Sequence, residues 1–188
     1  MNGDIEKIIR RAGEIPTIPQ METNKPYVPY ATMTIYFKEC SPFSNWHPSC
    51  FYLNDQTFFH MEQYVVWAKA QLFRDQDISQ KVIKKNYTPK YVEQLEKQIK
   101  SFHSPTWKKY ARDIVYRGLF AKFTQNPELA KALEKTKNTT LVEAGCGDLV
   151  WSAGLLQNDV CITDPLKWKG TNWMGEVLTR LRIDLFGI

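Results

Sequence analysis

A mainly helical α+β fold is what this sequence predicts, on three observations. Capped stretches with helical apolar periodicity fill most of residues 60–136 and return at 171–186. Runs rich in β-branched and aromatic residues are short and lie toward the two ends, at 32–37, 50–59 and 139–145. No strand alternates regularly with a helix, as a doubly wound parallel sheet would require. At 188 residues, with 43% hydrophobic side chains, the chain is long enough for a single domain with a proper core.

Residues 1–30 stand apart. "DIEKIIRRAGEI" has the pattern of a short amphipathic helix, but prolines at 16, 19, 26 and 29 keep it from continuing. This segment reads as an appendage or linker before a domain at 31–188. "TMTIYF" (32–37) is a strand by composition, and "SPFSNWHPS" (41–49) is an irregular loop carrying aromatics. "CFYLNDQTFF" (50–59) is a hairpin, with Asn54 and Asp55 at the turn because both tolerate positive φ. Helices come next at 76–87 and 88–102, the second with Thr88 as N-cap and Pro89 in its first turn. A long helix spans 104–126, with Ser104 as N-cap and Pro105 at its start. "NPELAKALEKT" (126–136) repeats the Asn-Pro pattern, "TTLVEAG" (139–145) is a strand ending in a glycine turn, and 171–186 is the final helix.

The helix at 58–73, "FFHMEQYVVWAKAQLF", raises a question about charge. Met61, Tyr64, Val65, Ala68 and Leu72 form its natural core face. Glu62, Val66, Lys69 and Phe73 form a second stripe that is also partly apolar. Glu62 and Lys69 differ by about 20° around the axis and about 10 Å along it. The lysine side chain leans back toward the glutamate. The pair therefore suits one small ligand held between them; the ordinary alternative is a solvated outer face.

Composition excludes several classes. The net charge of +5 is mild, compatible with phosphate-bearing ligands or nucleic acid but not a signature of either. Cys40, Cys50, Cys146 and Cys161 lack paired spacing and read as reduced thiols of a cytoplasmic protein, and the three His (His47, His60, His103) lack metal-ligand spacing. No metal or cofactor is expected. No apolar run is long enough to span a membrane. Six Trp are many for this length, and Trp lines ligand sites as well as cores.

"LVEAGCGDLVW" (141–151) mimics the first motif of Rossmann-like methyltransferases, and Asp164 downstream sits where a ribose-binding acid would. Too little chain lies beyond Trp151 for the sheet such an enzyme needs, so S-adenosylmethionine chemistry is a minor alternative.

Five segments, taken in order, carry a resemblance. "IYFKECSPFSNW" is similar to a strand followed by an "FSNF"-like loop, and "MEQYVVWAKAQLF" to an "S-x-E-H-Y-F-Q-x-x-K" helix. "PTWKKYARDIVYRGLFAKFTQNPEL" resembles "W…M…A…KF-x-Q-N-x-x-L". "LVEAGCGDLVWSAG" resembles "LVE-x-x-x-x-D-x-x-W-G-x-G", and "GTNWMGEVLTRLR" resembles "G-x-N-x-L-G-x-x-L-M-x-x-R". The pattern is that of the NADAR family, the YbiA-like N-glycosidases, and covers about residues 33–187.

The resemblance implies a mainly helical domain with a small β element. It implies cleavage of an N-glycosidic bond between ribose and a base. One branch of the family acts on ribosylamino-pyrimidine phosphates of riboflavin synthesis; another removes ADP-ribose from guanine, including ADP-ribosylated nucleic acid. It implies Glu62, Lys69 and Asp148 as the catalytic set, and Trp107, Trp151, Asn172 and Gly175 as substrate-binding residues. The sequence departs from the pattern at His60 (Ser in the family), Gln63 (usually His) and Ser152 (Gly). An upstream Gly-Arg element is missing, which leaves Lys97 or Lys100 to meet a phosphate. The segment 155–169 looks longer than the family needs.

Breaking the bond builds positive charge on ribose C1 and negative charge on the base, so a carboxylate near C1 and a proton donor near the base are required. Glu62 and Asp148 suit these roles in either order. Lys69, if neutral, can instead attack C1 and form a Schiff base with the opened sugar. Asp148 also suits a plain turn role after Gly147, and Trp107 a core role. His60 reads as structural at the start of its helix, and Glu143 as an ion-pair partner holding the site. A non-catalytic ADP-ribose-binding module is the remaining alternative; loss of Glu62, Lys69 or Asp148 would have favoured it.

Overall fold

The computed structural model describes residues 26–37 and 41–187, so the amphipathic stretch expected near the N-terminus lies outside the described residues. The elements are β1 (Met33–Phe37), β2 (Phe51–Leu53), β3 (Gln56–Phe58), α1 (Met61–Leu72), α2 (Gln76–Ile83), α3 (Pro89–Glu96), α4 (Ser104–Gln125), α5 (Pro127–Glu134), β4 (Thr140–Ala144), a 3-10 turn (Pro165–Lys167) and α6 (Trp173–Phe186). The fold is α+β and mainly helical, as the sequence predicts. These elements fall into two compact units, one holding Pro48–Asn126, the other the described residues on either side of that segment.

In the first unit, the β2–β3 hairpin closes through Asn54 (φ 53°) and Asp55 (φ 59°). A consecutive left-handed pair matches the twist of a two-residue hairpin, which is why Asn-Asp stands there. Phe51 and Phe58 face each other across the register. Both rings pack on Tyr64 of α1, at centroid distances of 6.1 and 5.3 Å. Gln125 acts as a partner to the hairpin's outer edge: its side-chain amide donates to Tyr52 O at 2.8 Å and accepts from Tyr52 N at 2.8 Å. Asn126 donates to Cys50 O at 3.0 Å. The "QN" pair closing α4 is therefore part of the hairpin's support.

Every residue of α1 from Met61 to Ala70 is buried. The core face read from the wheel is inside as far as Ala68, but so is the second stripe as far as Lys69, because α2, α3 and α4 all pack on this helix. Glu62 and Lys69 are 9% and 8% exposed, so the solvated outer face is not where they lie. α4 crosses α1 closely at Gly118, where a Cβ would stand 2.4 Å from the Tyr64 ring. Asp75 caps α2, accepting from Ile78 N at 3.1 Å, and Thr88 caps α3, accepting from Tyr91 N at 3.3 Å. The expected Ser104 cap is displaced by one residue. His103 holds the N-cap position without a side-chain bond to the helix backbone, and Ser104 is already helical.

In the second unit, β1 and β4 pair in parallel, with Tyr36 opposite Glu143. Val142, Ala144, Ala153, Leu155 and Ile162 form a buried cluster on one side, joined by Trp168. α6 packs on β4. Arg182, fully buried, donates to Thr136 O at 2.6 Å and Thr139 O at 2.7 Å, satisfying carbonyls just beyond the end of α5. The methyltransferase alternative fails here. Among the described residues this sheet has two strands, and the turn after β4 leads into further turns, with no α-helix before α6.

Candidate active site

The residues singled out by sequence divide between the units. Glu62, Lys69 and Trp107 stand in the first; Asp148, Trp151, Asn172 and Gly175 stand in the second.

Glu62 lies in the first turn of α1 and Lys69 in the last. The helix dipole favours an anion at the one end and a cation at the other. The start of α1 is fixed by His60, which stands where the family has serine. Its Nδ1 accepts from Gln63 N at 3.2 Å, and its Nε2 donates to Tyr87 O at 2.9 Å. Burial holds the imidazole below its ordinary pKa, the Tyr87 carbonyl offsets part of this, and Lys122 adds to the lowering. His60 is thus the capping residue of α1, which fits the structural place at the helix start read from the sequence. Gln63 completes the turn, accepting from Phe59 N at 2.9 Å and donating to Val82 O at 2.9 Å.

Lys69 is brought together with Trp107. Its ammonium sits 4.2 Å from the Trp107 ring centroid and 5.2 Å from that of Phe102. Its ion-pair partner is Glu96, at the end of α3. A carboxylate and two aromatic faces thus hold one ammonium in a nearly dry place. Trp107 is 8% exposed, and one of its faces carries the lysine. Glu96 was not among the residues expected from sequence. The signal was present: Val92, Leu95 and Ile99 make an apolar stripe at helical spacing, and Glu96 falls within it.

Lys122 is a second lysine buried in this unit, with no exposed surface. Burial lowers its pKa to about 7. Of the lysines suggested as phosphate partners, Lys100 pairs with Asp77 at 3.0 Å on the surface, and Lys97 is the exposed C-cap of α3.

In the second unit, Asp148 is exposed and shapes the turn after β4. Its Oδ1 accepts from Val150 N at 2.8 Å and Trp151 N at 3.0 Å. The turn is fixed a second time by Ser152, whose hydroxyl lies 2.7 Å from Gly145 O and 2.6 Å from Asp148 O. This is what the serine of "WSAG" adds where the family has glycine. Trp151 is half-buried and meets Trp173 edge-on, at 5.7 Å.

Asn172 and Gly175 serve β4. The Asn172 amide donates to Leu141 O at 3.0 Å and accepts from Glu143 N at 2.9 Å. Its own backbone is left-handed, with φ 52°. At Gly175 a Cβ would stand 2.0 Å from Leu141 O, so only glycine lets α6 approach the strand this closely. Together they hold the strand that carries Glu143. Glu143 accepts a hydrogen bond from the Tyr36 hydroxyl at 3.3 Å. Burial and the Glu143 charge push the Tyr36 phenol well above its ordinary pKa, so it remains a donor.

Among the described residues no group of three or more His, Cys, Asp and Glu is placed to hold a metal ion. Among them, too, no helix is long and apolar enough to cross a membrane.

Comparison with known proteins gives this arrangement its context. The NADAR domain model matches residues 34–186. An N-glycosidase of Acanthamoeba polyphaga mimivirus is 37% identical over 145 residues, covering 74% of this chain and 85% of that protein. Protein irg-1 of Caenorhabditis elegans is 30% identical over 168 residues, covering 81% and 79%. A chloroplastic riboflavin biosynthesis protein PYRR of Zea mays is 26% identical, and this chain spans 31% of its length. The NMR structure of the Escherichia coli protein YbiA superposes with a TM-score of 0.66, at 22% identity, covering 93% of this chain and 91% of that one. The match spans both units and all five sequence segments, and the chain belongs to the NADAR family.

Proposed function

We propose that this protein is an N-glycosidase that hydrolyses the bond between a base and the ribose of a ribose phosphate or of ADP-ribose. The observation that carries this is a helix buried around its whole circumference that nonetheless keeps a carboxylate, Glu62, and an amine, Lys69, on one stripe. Burying two ionisable groups is costly, and such groups recur where chemistry needs them. The relative named as an N-glycosidase supports the reaction class. The riboflavin-related relative supports a ribosylamino-pyrimidine phosphate as one substrate.

In this reading Glu62 and Asp148 are the two carboxylates of the reaction, one stabilising the positive charge that develops at C1 and the other protonating the departing base. Lys69 attacks C1 and passes the sugar through an imine. Trp107 and Trp151 stack against the base, each contact contributing about 1–3 kcal/mol. Asn172 and Gly175 act through β4 and the turn it leads into. The free thiols of Cys50, Cys146 and Cys161 fit a reducing, cytoplasmic setting.

The test is to incubate the protein with a ribosylamino-pyrimidine phosphate and, separately, with DNA carrying ADP-ribosylated guanine. Base and sugar are monitored by chromatography. Equimolar release from either substrate supports the proposal. Tight binding of ADP-ribose with no release from either would leave a binding module instead.

A further inference from the structure

We infer that Glu96 is the general base of the reaction: it clamps Lys69 on the face of Trp107 and takes the proton that the lysine must lose before it attacks. This rests on the proposed covalent route. Three features support it. Glu96 reaches Lys69 from a different helix, α3, so the pair is built by tertiary structure and not by helical neighbours. The Lys69 side chain is 10% exposed and that of Glu96 28%, so the carboxylate is the member of the pair with the better access to solvent. Trp107 and Phe102 flank the same nitrogen and leave little room for bulk water to collect its proton.

In the first step the Lys69 ammonium gives one proton to Glu96 Oε1; an N–H bond breaks, an O–H bond forms, and nitrogen keeps the electron pair. That pair forms the N–C1 bond as the C1–base bond breaks. The base leaves with the electrons of that bond and takes a proton from the acid of the site. A proton passes from nitrogen to the ring oxygen as the sugar opens to the protonated imine. Water adds, the acid recovers its proton, the amine is expelled, and Glu96 returns the first proton to it.

Removing Glu96 has two opposed effects. Loss of an anion beside the lysine favours the neutral amine, which alone would speed attack. Loss of the proton acceptor slows it, by about a hundredfold if Glu96 acts as a general base. The sign of the change therefore decides the matter.

The experiment traps the imine with borohydride during turnover and measures, by mass spectrometry, how fast the sugar adduct accumulates on the Lys69 peptide. Wild type, Glu96→Gln, Glu96→Asp and Glu96→Ala are compared, with thermal midpoints as a folding control. The expected result is slow trapping in Glu96→Gln, partial activity in Glu96→Asp, and recovery of Glu96→Ala on addition of formate, a small carboxylate that fits the vacated place. A loss caused by misfolding would not respond to formate. Unchanged or faster trapping in Glu96→Gln, with a normal wild-type adduct, overturns the role of Glu96 and leaves the covalent route standing. Sugar release by wild type with no adduct overturns the covalent route, and the role of Glu96 with it.

Discussion

Replacing Asn172 by Ala tests whether this family-motif residue serves the strand or the substrate. The side chain is 1% exposed and makes two bonds to β4, one donated to Leu141 O and one accepted from Glu143 N. Alanine leaves both backbone groups without these partners. A buried orphan costs about 1–3 kcal/mol, and the Glu143 amide, only partly buried, belongs at the low end. Asn172 is also left-handed, a conformation that costs Ala about 1 kcal/mol more than Asn. The sum is about 3–5 kcal/mol. For a chain of this size that lowers the thermal midpoint by about 10 °C. Asn172→Asp sharpens the test. It keeps the shape and the acceptor but turns a carboxylate oxygen toward the Leu141 carbonyl, so it should cost at least as much as Ala. Calorimetry gives the midpoints, and hydrogen exchange at the Glu143 amide reports the strand directly. A midpoint within about 2 °C of wild type in both variants, with substrate affinity lost, would refute the reasoning and place Asn172 in direct contact with substrate.

Packing and burial in the first unit set two further outcomes. Gly118→Ala should destabilise despite the better helix propensity of Ala, because the new methyl meets the Tyr64 ring at 2.4 Å; overpacking of about 1–3 kcal/mol outweighs a gain of about 1 kcal/mol, and a urea titration reads the sign. Lys122 gives a pH signature. Its pKa is about 7 in the folded chain and 10.5 ordinarily, so between these values the unfolded state binds more protons and stability rises with pH. Lys122→Met should lack that rise, so its stability relative to wild type should fall, by at most about 5 kcal/mol, between neutral and alkaline pH. A constant difference across that window would show that the lysine stays charged when buried.

Much of the first unit was legible because its signals are local. Asn54-Asp55 fixes a turn by backbone preference, and Thr88-Pro89 fixes the start of a helix, wherever the rest of the chain goes. In the second unit, the turn role that Asp148 offered beside its catalytic one rests on an equally local signal, its place after Gly147. What escaped is tertiary. A helical wheel places Met61 and Tyr64 inside, but no wheel shows that three other helices also cover Glu62 and Lys69. The pairing of β1 with β4 joins Met33 to Thr140, across most of the chain, and short apolar runs do not announce such partners. Glu96 is one of two acidic residues on α3, with Glu93, although its position within an apolar stripe marked it. The cap of α4 slipped from Ser104 to His103 because Pro105 is tolerated anywhere in the first helical turn.

Turnover by Glu62→Gln is the most direct test of the proposed chemistry. The substitution keeps the size and one acceptor oxygen but removes the ionisable carboxyl that either carboxylate role requires. Base release from the better of the two substrates is measured at saturation, with thermal midpoint and substrate affinity as controls. The expected result is a folded protein that still binds substrate and has lost turnover by about two to three orders of magnitude. A folded Glu62→Gln protein that releases base at close to the wild-type rate would contradict it.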